Sequence, residues 1–154
     1  SVTIYFKPNQ ATFEVEEYRI KFEEALDKSM VYAGAVLSVE GHSAYLGYLK
    51  GVLKKGWSLP KQKLEMQSLE RTSTSRAIAV RQALVETAET MGLAIDNSQI
   101  TINGRGIEDP HGGFCKGLPC PPKTEEEWRQ SRRVIFRVIA MEGEEEVFTP
   151  LNDW

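Results

Sequence analysis

Two short segments carry the residues best suited to chemistry. Val39-Glu40-Gly41-His42-Ser43-Ala44 reads as a buried strand that ends in a polar turn. Ser73-Thr74-Ser75-Arg76-Ala77 reads as the start of a helix whose first turn holds one arginine among small and hydroxyl residues. A strand end beside a helix start can cradle a small anion, with backbone N–H groups donating and the guanidinium gripping a carboxylate by two bonds. His42 reads as a hydrogen-bonding residue at the strand end in preference to a base. No nucleophile–base arrangement accompanies it. Glu125-Glu126-Glu127 reads as an exposed charged turn, since nothing apolar surrounds it to raise a carboxyl pKa. Gly104-Arg105-Gly106 lacks the third glycine and the lysine of a phosphate loop. The chemistry on offer is binding, not catalysis.

Several elements must position these residues. Val2, Ile4 and Phe6 alternate on one face of a short strand that stops at Pro8. Val15, Tyr18, Phe22, Ala25, Leu26 and Met30 recur at helical spacing, with Glu16 and Glu17 at the start and Lys28 near the end. Ala35 to His42 alternates again. Residues 45 to 70 are expected as an inserted excursion: a short apolar helix from Tyr45 to Leu53, breaks at Gly56 and Pro60, then a polar stretch of helical propensity. Ser73 is the expected N-cap of the second main helix, which packs through Ala77, Val80, Leu84, Ala88 and Met91 and stops at Gly92. A strand over Gln99–Asn103, a long irregular loop from Ile107 to about Gln130, and a strand from Arg133 to Ala140 complete the order. The expectation is an α/β (α+β) sandwich in β-α-β-α-β-β order, with two main helices on one face of a small mixed sheet. It occupies residues 1–140, and an acidic tail fills 141–154.

A chain of 154 residues with 41% hydrophobic and 27% charged residues suits one soluble domain. Its net charge of −3 argues against nucleic acid as a partner. No apolar run approaches the roughly 20 residues that span a bilayer. Ser1 opens almost directly into a strand, as in an excised domain. Cys115 and Cys120 lie in a loop rich in glycine and proline. A zinc site would need two more ligands, and His42 and His111 are not spaced to supply them. A short disulfide suits the pair better, the alternative being two free surface thiols. Neither a metal nor a cofactor is expected.

In order along the chain, these motifs resemble the peptidoglycan-binding domain at the C-terminus of outer-membrane protein A (OmpA-like domains). Phe6-Lys7-Pro8-Asn9 stands at the family's Phe-Asp-x-Asn turn, and Gly41-His42-Ser43-Ala44 at its Gly-His-Thr-Asp. Gly47 is the glycine three positions on. Thr72-Ser73-Thr74-Ser75-Arg76-Ala77 stands at Leu-Ser-x-x-Arg-Ala. Gly92, Ile95, Ile100, Gly104, Gly106 and Pro110 follow the family's next glycine, isoleucine and proline positions. Ser131-Arg132-Arg133-Val134 stands at Asn-Arg-Arg-Val. Some periplasmic members also carry a cysteine pair in the last loop, which favours the disulfide.

The resemblance implies a non-catalytic module that anchors a larger envelope protein to the cell wall, in the periplasm or at the outer membrane of a Gram-negative bacterium. It grips the diaminopimelate of the peptidoglycan stem peptide. Asn9, His42, Ser43, Ala44, Ser73 and Arg76 would surround that ligand, Arg76 taking its carboxylate. Two departures stand out. Ala44 replaces the aspartate that would hold the ligand's ammonium, and the stretch from Ala44 to Arg76 is about twice the family's length. An acid from the insertion, Glu65 or Glu70, could stand in. The alternative is a degenerate OmpA-like scaffold that contacts an envelope protein or a second copy of itself.

Overall fold

The computed structural model describes residues 1–31, 35–95 and 97–139. The acidic tail expected from Met141 lies outside the described residues. The elements are β1 (Val2–Tyr5), α1 (Val15–Val31), β2 (Val36–Gly41), α2 (Leu46–Leu53), α3 (Leu59–Thr90), a 3-10 turn (Asn97–Gln99), β3 (Ile100–Gly104), β4 (Phe114–Cys115), β5 (Leu118–Pro119), α4 (Glu125–Gln130) and β6 (Arg133–Ile139). Four strands form a mixed sheet in the order β1-β6-β2-β3. β6 is antiparallel to both β1 and β2, and β2 is parallel to β3. Helices α1 and α3 touch each other and lie against the sheet, α1 over β6 and α3 over β2 and β3. The expected two-layer architecture is present.

Alternation along each strand decides what faces the helices. Ile4, Leu37, Val39, Ile100, Val134 and Phe136 are buried together with Phe22, Leu26, Ala77, Val80 and Leu84 from the helices. Phe13 links the two layers through edge-on contacts with Phe6 and Phe22.

The largest difference from expectation is α3. It is one helix of 32 residues, and it begins at Leu59, not at Ser73. Ser58 is its N-cap, accepting from the Lys61 N–H, and Pro60 falls in the first turn, where a missing N–H costs nothing. No glycine or proline lies between Lys61 and Thr90 to interrupt it. The hydroxyl cluster that resembles a cap bonds backwards within the helix: Thr72 Oγ1 donates to Ser68 O and Ser73 Oγ to Glu70 O. Gly92 does end the helix. Its φ is +74°, and the Leu93 N–H bonds back to Ala88 O.

The loop from Ile107 to Gln130 is more ordered than its composition suggests. β4 and β5 form a hairpin around Lys116 and Gly117, both at positive φ, as a two-residue turn of the primed kind requires. Cys115 and Cys120 are bonded to each other, with Cα atoms 4.9 Å apart. Glu125-Glu126-Glu127 is the first turn of α4. Thr124 caps it by accepting from the Glu127 N–H, and the three acids suit the positive end of the helix.

Candidate functional site

The site lies where α3 crosses the ends of β2 and β3. The crossing is close because the strand ends carry glycine. A Cβ added to Gly41 would sit 2.0 Å from Ser73 O, and one added to Gly104 would sit 2.0 Å from Thr74 Oγ1. Gly106, at φ +55°, lies against Glu70, and its N–H donates to Ser73 Oγ at 2.9 Å. This packing lets Arg76 reach under the β2 end and across to the β1–α1 turn.

Arg76 is 1% exposed, and it is the largest fully buried side chain in the described structure. Its Nε donates to Gln10 O (2.9 Å), Nη1 to His42 O (3.1 Å) and Nη2 to Lys7 O (3.4 Å). The guanidinium also lies 5.4 Å from the Phe6 ring centroid. Among the described residues no carboxylate pairs with it. Burial, with the Arg132 charge adding, holds its pKa down to about 10.

The sequence-predicted residues therefore gather, but not as a helix-start cradle. Arg76 joins the strand end at His42 to the Lys7–Gln10 turn that carries Asn9, an exposed residue at φ +57°. Ser73 lies within α3, fully buried, and cannot supply a helix N-terminus. Ser43 has no spare donor either: its N–H bonds Gly106 O and its hydroxyl bonds Leu69 O. Ala44, in the turn after β2, is half-buried. Glu65 pairs with Lys61 in the insertion, and Glu70 packs over Gly106. Arg132 and Arg133 are both buried. Arg132 Nε donates to Phe6 O, and Arg133 Nη1 to Gln130 O.

His42 is 2% exposed and its Nε2 lies 2.8 Å from Glu40 Oε1. The neutral ring donates through Nε2, which leaves Nδ1 buried and unpartnered. A second proton would add a donor there with no acceptor. Burial chiefly, with the Arg133 charge, pushes its pKa down to about 4, while Glu40 opposes the shift. Glu40, His42 and Asp109 bring potential metal-ligand atoms within 4.8 Å of one another. Both carboxylates act electrostatically on Arg133, which already supplies the compensating charge.

The His42 shift sets a pH dependence. Its folded pKa lies below the ordinary 6.5, so the unfolded chain takes up the proton first as pH falls. Stability from this group is complete above about pH 6.5 and is lost towards pH 4, by up to about 3 kcal/mol. Denaturant titrations across that window should show the slope, and a His42→Gln variant should lack it. An imidazole NMR midpoint near 6.5 would contradict this assignment.

A pocket of about 350 Å³ opens between Tyr45, His111, Gly112, the Cys115–Cys120 bridge, Pro121, Pro122, Lys123 and Glu127. Burial raises the Tyr45 hydroxyl pKa, and the Glu127 charge adds to the effect. Sequence reasoning missed this acid, because a charged triplet in an apparent loop gives no sign that one member turns towards the β2 end.

No protein-family model matches the chain, and a search of curated proteins finds no match. Solved structures do match its fold. The peptidoglycan-associated lipoprotein from Burkholderia pseudomallei superposes with a TM-score of 0.58 at 16% identity, over 89% of each chain. The C-terminal domain of Helicobacter pylori MotB gives 0.56 at 13% identity, over 97% of this chain and 99% of that one. The OmpA-like domain of FopA1 from Francisella tularensis gives 0.53 at 17% identity, over 90% and 71%. The chain has the OmpA-like fold.

Proposed function

We propose that this chain is a non-catalytic peptidoglycan-binding module that tethers a larger envelope protein to the cell wall in the periplasm. The observation that carries the reading is Arg76, a buried guanidinium whose hydrogen-bond partners among the described residues are all backbone carbonyls. A buried cation without a counter-charge is costly, and a ligand carboxylate would relieve that cost. The 3.4 Å contact to Lys7 O is the longest of the three bonds and the one most easily exchanged. In this reading the carboxylate is that of diaminopimelate in the stem peptide. Asn9, His42, Ser43, Ala44 and Ser73 frame it, most of them through backbone or internal bonds. The ligand's ammonium lacks the usual acid at Ala44, so affinity is weakened. The neighbouring pocket with Glu127 offers a nearby carboxylate.

A second reading rests on the same side chain. Arg76 is closed from solvent and Ala44 is neutral, as in a scaffold that has given up the ligand and contacts another protein.

Ala44→Asp separates the two. An acid here precedes α2, whose first turn has none, so the helix dipole offsets part of the cost of placing it at a half-buried position. Affinity for a diaminopimelate-containing stem peptide should rise roughly 10- to 150-fold, the worth of one hydrogen bond to a charged group. The lysine-containing peptide shares the ammonium but lacks the side-chain carboxylate that Arg76 would hold, so it should remain the weaker ligand of both variants. Calorimetric titration of both variants, with sedimentation on purified peptidoglycan, reads the outcome. Equal affinity for the alanine and aspartate forms favours the scaffold.

A further inference from the structure

One part of the chain that the proposed wall contact does not use is the tip of the α2–α3 hairpin. Between Glu40 and Glu65 there is no acidic residue, yet there are five lysines: Lys50, Lys54, Lys55, Lys61 and Lys63. The whole chain carries −3, so this segment opposes the charge of the rest. Of the five, only Lys61 has an acidic partner among the described residues, Glu65. The same tip exposes three large apolar side chains: Leu53 at 63%, Leu59 at 78% and Leu64 at 62%.

The tip is built, not frayed. Trp57 lies across Gly51, where an added Cβ would come within 2.2 Å of the ring. The Trp57 N–H bonds Gly51 O, and Gln62 Nε2 donates to Trp57 O. Lys61 Nζ sits 5.4 Å from the Trp57 ring centroid. Met66 and Leu69 of α3 pack on Tyr45 and Leu49. Leu59, Pro60, Lys63 and Leu64 occupy an arc of about 140° on another side of the helix. The hairpin holds apolar and cationic groups together, facing outwards.

From this juxtaposition we propose that the hairpin tip docks on an anionic phospholipid surface, Leu53, Leu59 and Leu64 entering the headgroup–acyl boundary and the lysines lying against lipid phosphates. Cations beside exposed leucines match such a surface, which is negative outside and apolar just beneath. A second copy fits less well, since a two-fold contact through the tip would set lysines against lysines. The acidic segment after Ile139 also fits less well. Ile139 pairs with Val36 at the start of β2, whereas the hairpin springs from the other end of that strand.

The test is co-sedimentation of the full chain with vesicles of equal parts phosphatidylglycerol and phosphatidylcholine, against pure phosphatidylcholine. Binding should require the anionic lipid and weaken as added salt shortens the screening length. Lys54→Gln/Lys55→Gln should weaken partitioning by roughly 25-fold, about fivefold for each lysine, and Leu59→Ser by roughly tenfold. All three positions are exposed, so circular dichroism and peptidoglycan sedimentation should be unchanged, which separates this proposal from the wall-binding one. Three results overturn it: equal binding to both vesicle types; a dimer in sedimentation velocity that Leu59→Ser dissociates, assigning the face to a second copy; or carbodiimide cross-links from Lys54 or Lys55 to Glu144–Glu146 with no vesicle binding, assigning it to the chain's own tail.

Discussion

Gly41→Ala should cost at least about 3 kcal/mol of stability, more than any exposed substitution in the chain. The reason is a backbone contact. The new methyl would sit 2.0 Å from Ser73 O and 2.9 Å from Ser73 C, and no rotamer change can move a helical carbonyl. To admit it, α3 must lift from β2. That would open the core at Ala77 and pull on the bonds that hold Arg76 and Ser73 in place. Gly47→Ala is the control. It lies in α2 with nothing within 4 Å of the added Cβ, and it should stabilise by roughly 0.5–1 kcal/mol through helix propensity alone. Denaturant titrations of both variants measure the difference. A Gly41→Ala protein within 1 kcal/mol of wild type would mean that the helix does not approach the strand as described.

That close approach also explains how far the sequence could be read. Strands and main helices were legible because each buries one face: Leu37 and Val39, Val134 and Phe136, and Phe22 and Leu26 fall at strand or helix periods. The disulfide was legible as one of two options, and the hairpin around Lys116-Gly117 brings the two cysteines together. The start of α3 was not legible. Hydroxyl residues serve equally as caps and, by bonding to the preceding turn, as helix interior, and local sequence does not say which. What decides is the unbroken run from Lys61, together with the packing of Met66 and Leu69 on α2. The six-residue α4 was hidden for a similar reason, since its apolar content is a single tryptophan.

Proximity in the site was legible, but its state was not. The order of motifs brings Arg76 to His42 and to the turn of Asn9. Nothing local shows that Ser43 has committed both donors or that Arg76 has three carbonyl partners, because those bonds join residues 26 to 69 positions apart. The burial of Arg132 was not legible for the same reason, since its carbonyl partner, Phe6 O, lies 126 positions away. Arginine spacing reads as surface unless the carbonyls it will meet are known.

Arg76 therefore does two jobs in the proposed reading, and Arg76→Lys should separate them. Lysine keeps the charge but replaces a planar fork with a single ammonium, which cannot reach Gln10 O, His42 O and Lys7 O with the same geometry. At least one buried carbonyl is then left unpaired, and stability should fall by about 2–3 kcal/mol. This loss is expected whether or not the site binds anything. Binding is read on the folded protein in the Ala44→Asp background, where affinity is high enough to follow. If Arg76 takes a ligand carboxylate by two bonds, adding the lysine change should lower affinity for the diaminopimelate peptide by roughly 10- to 150-fold. The lysine-containing peptide, with no side-chain carboxylate, should be nearly unaffected. If instead affinity for both peptides falls alike, or for neither, while stability falls as expected, Arg76 is a clasp between the β1–α1 turn and the β2 end, and the carboxylate must be held elsewhere. The stability measurement reports the clasp and the peptide pair reports the ligand contact, so neither result can be mistaken for the other.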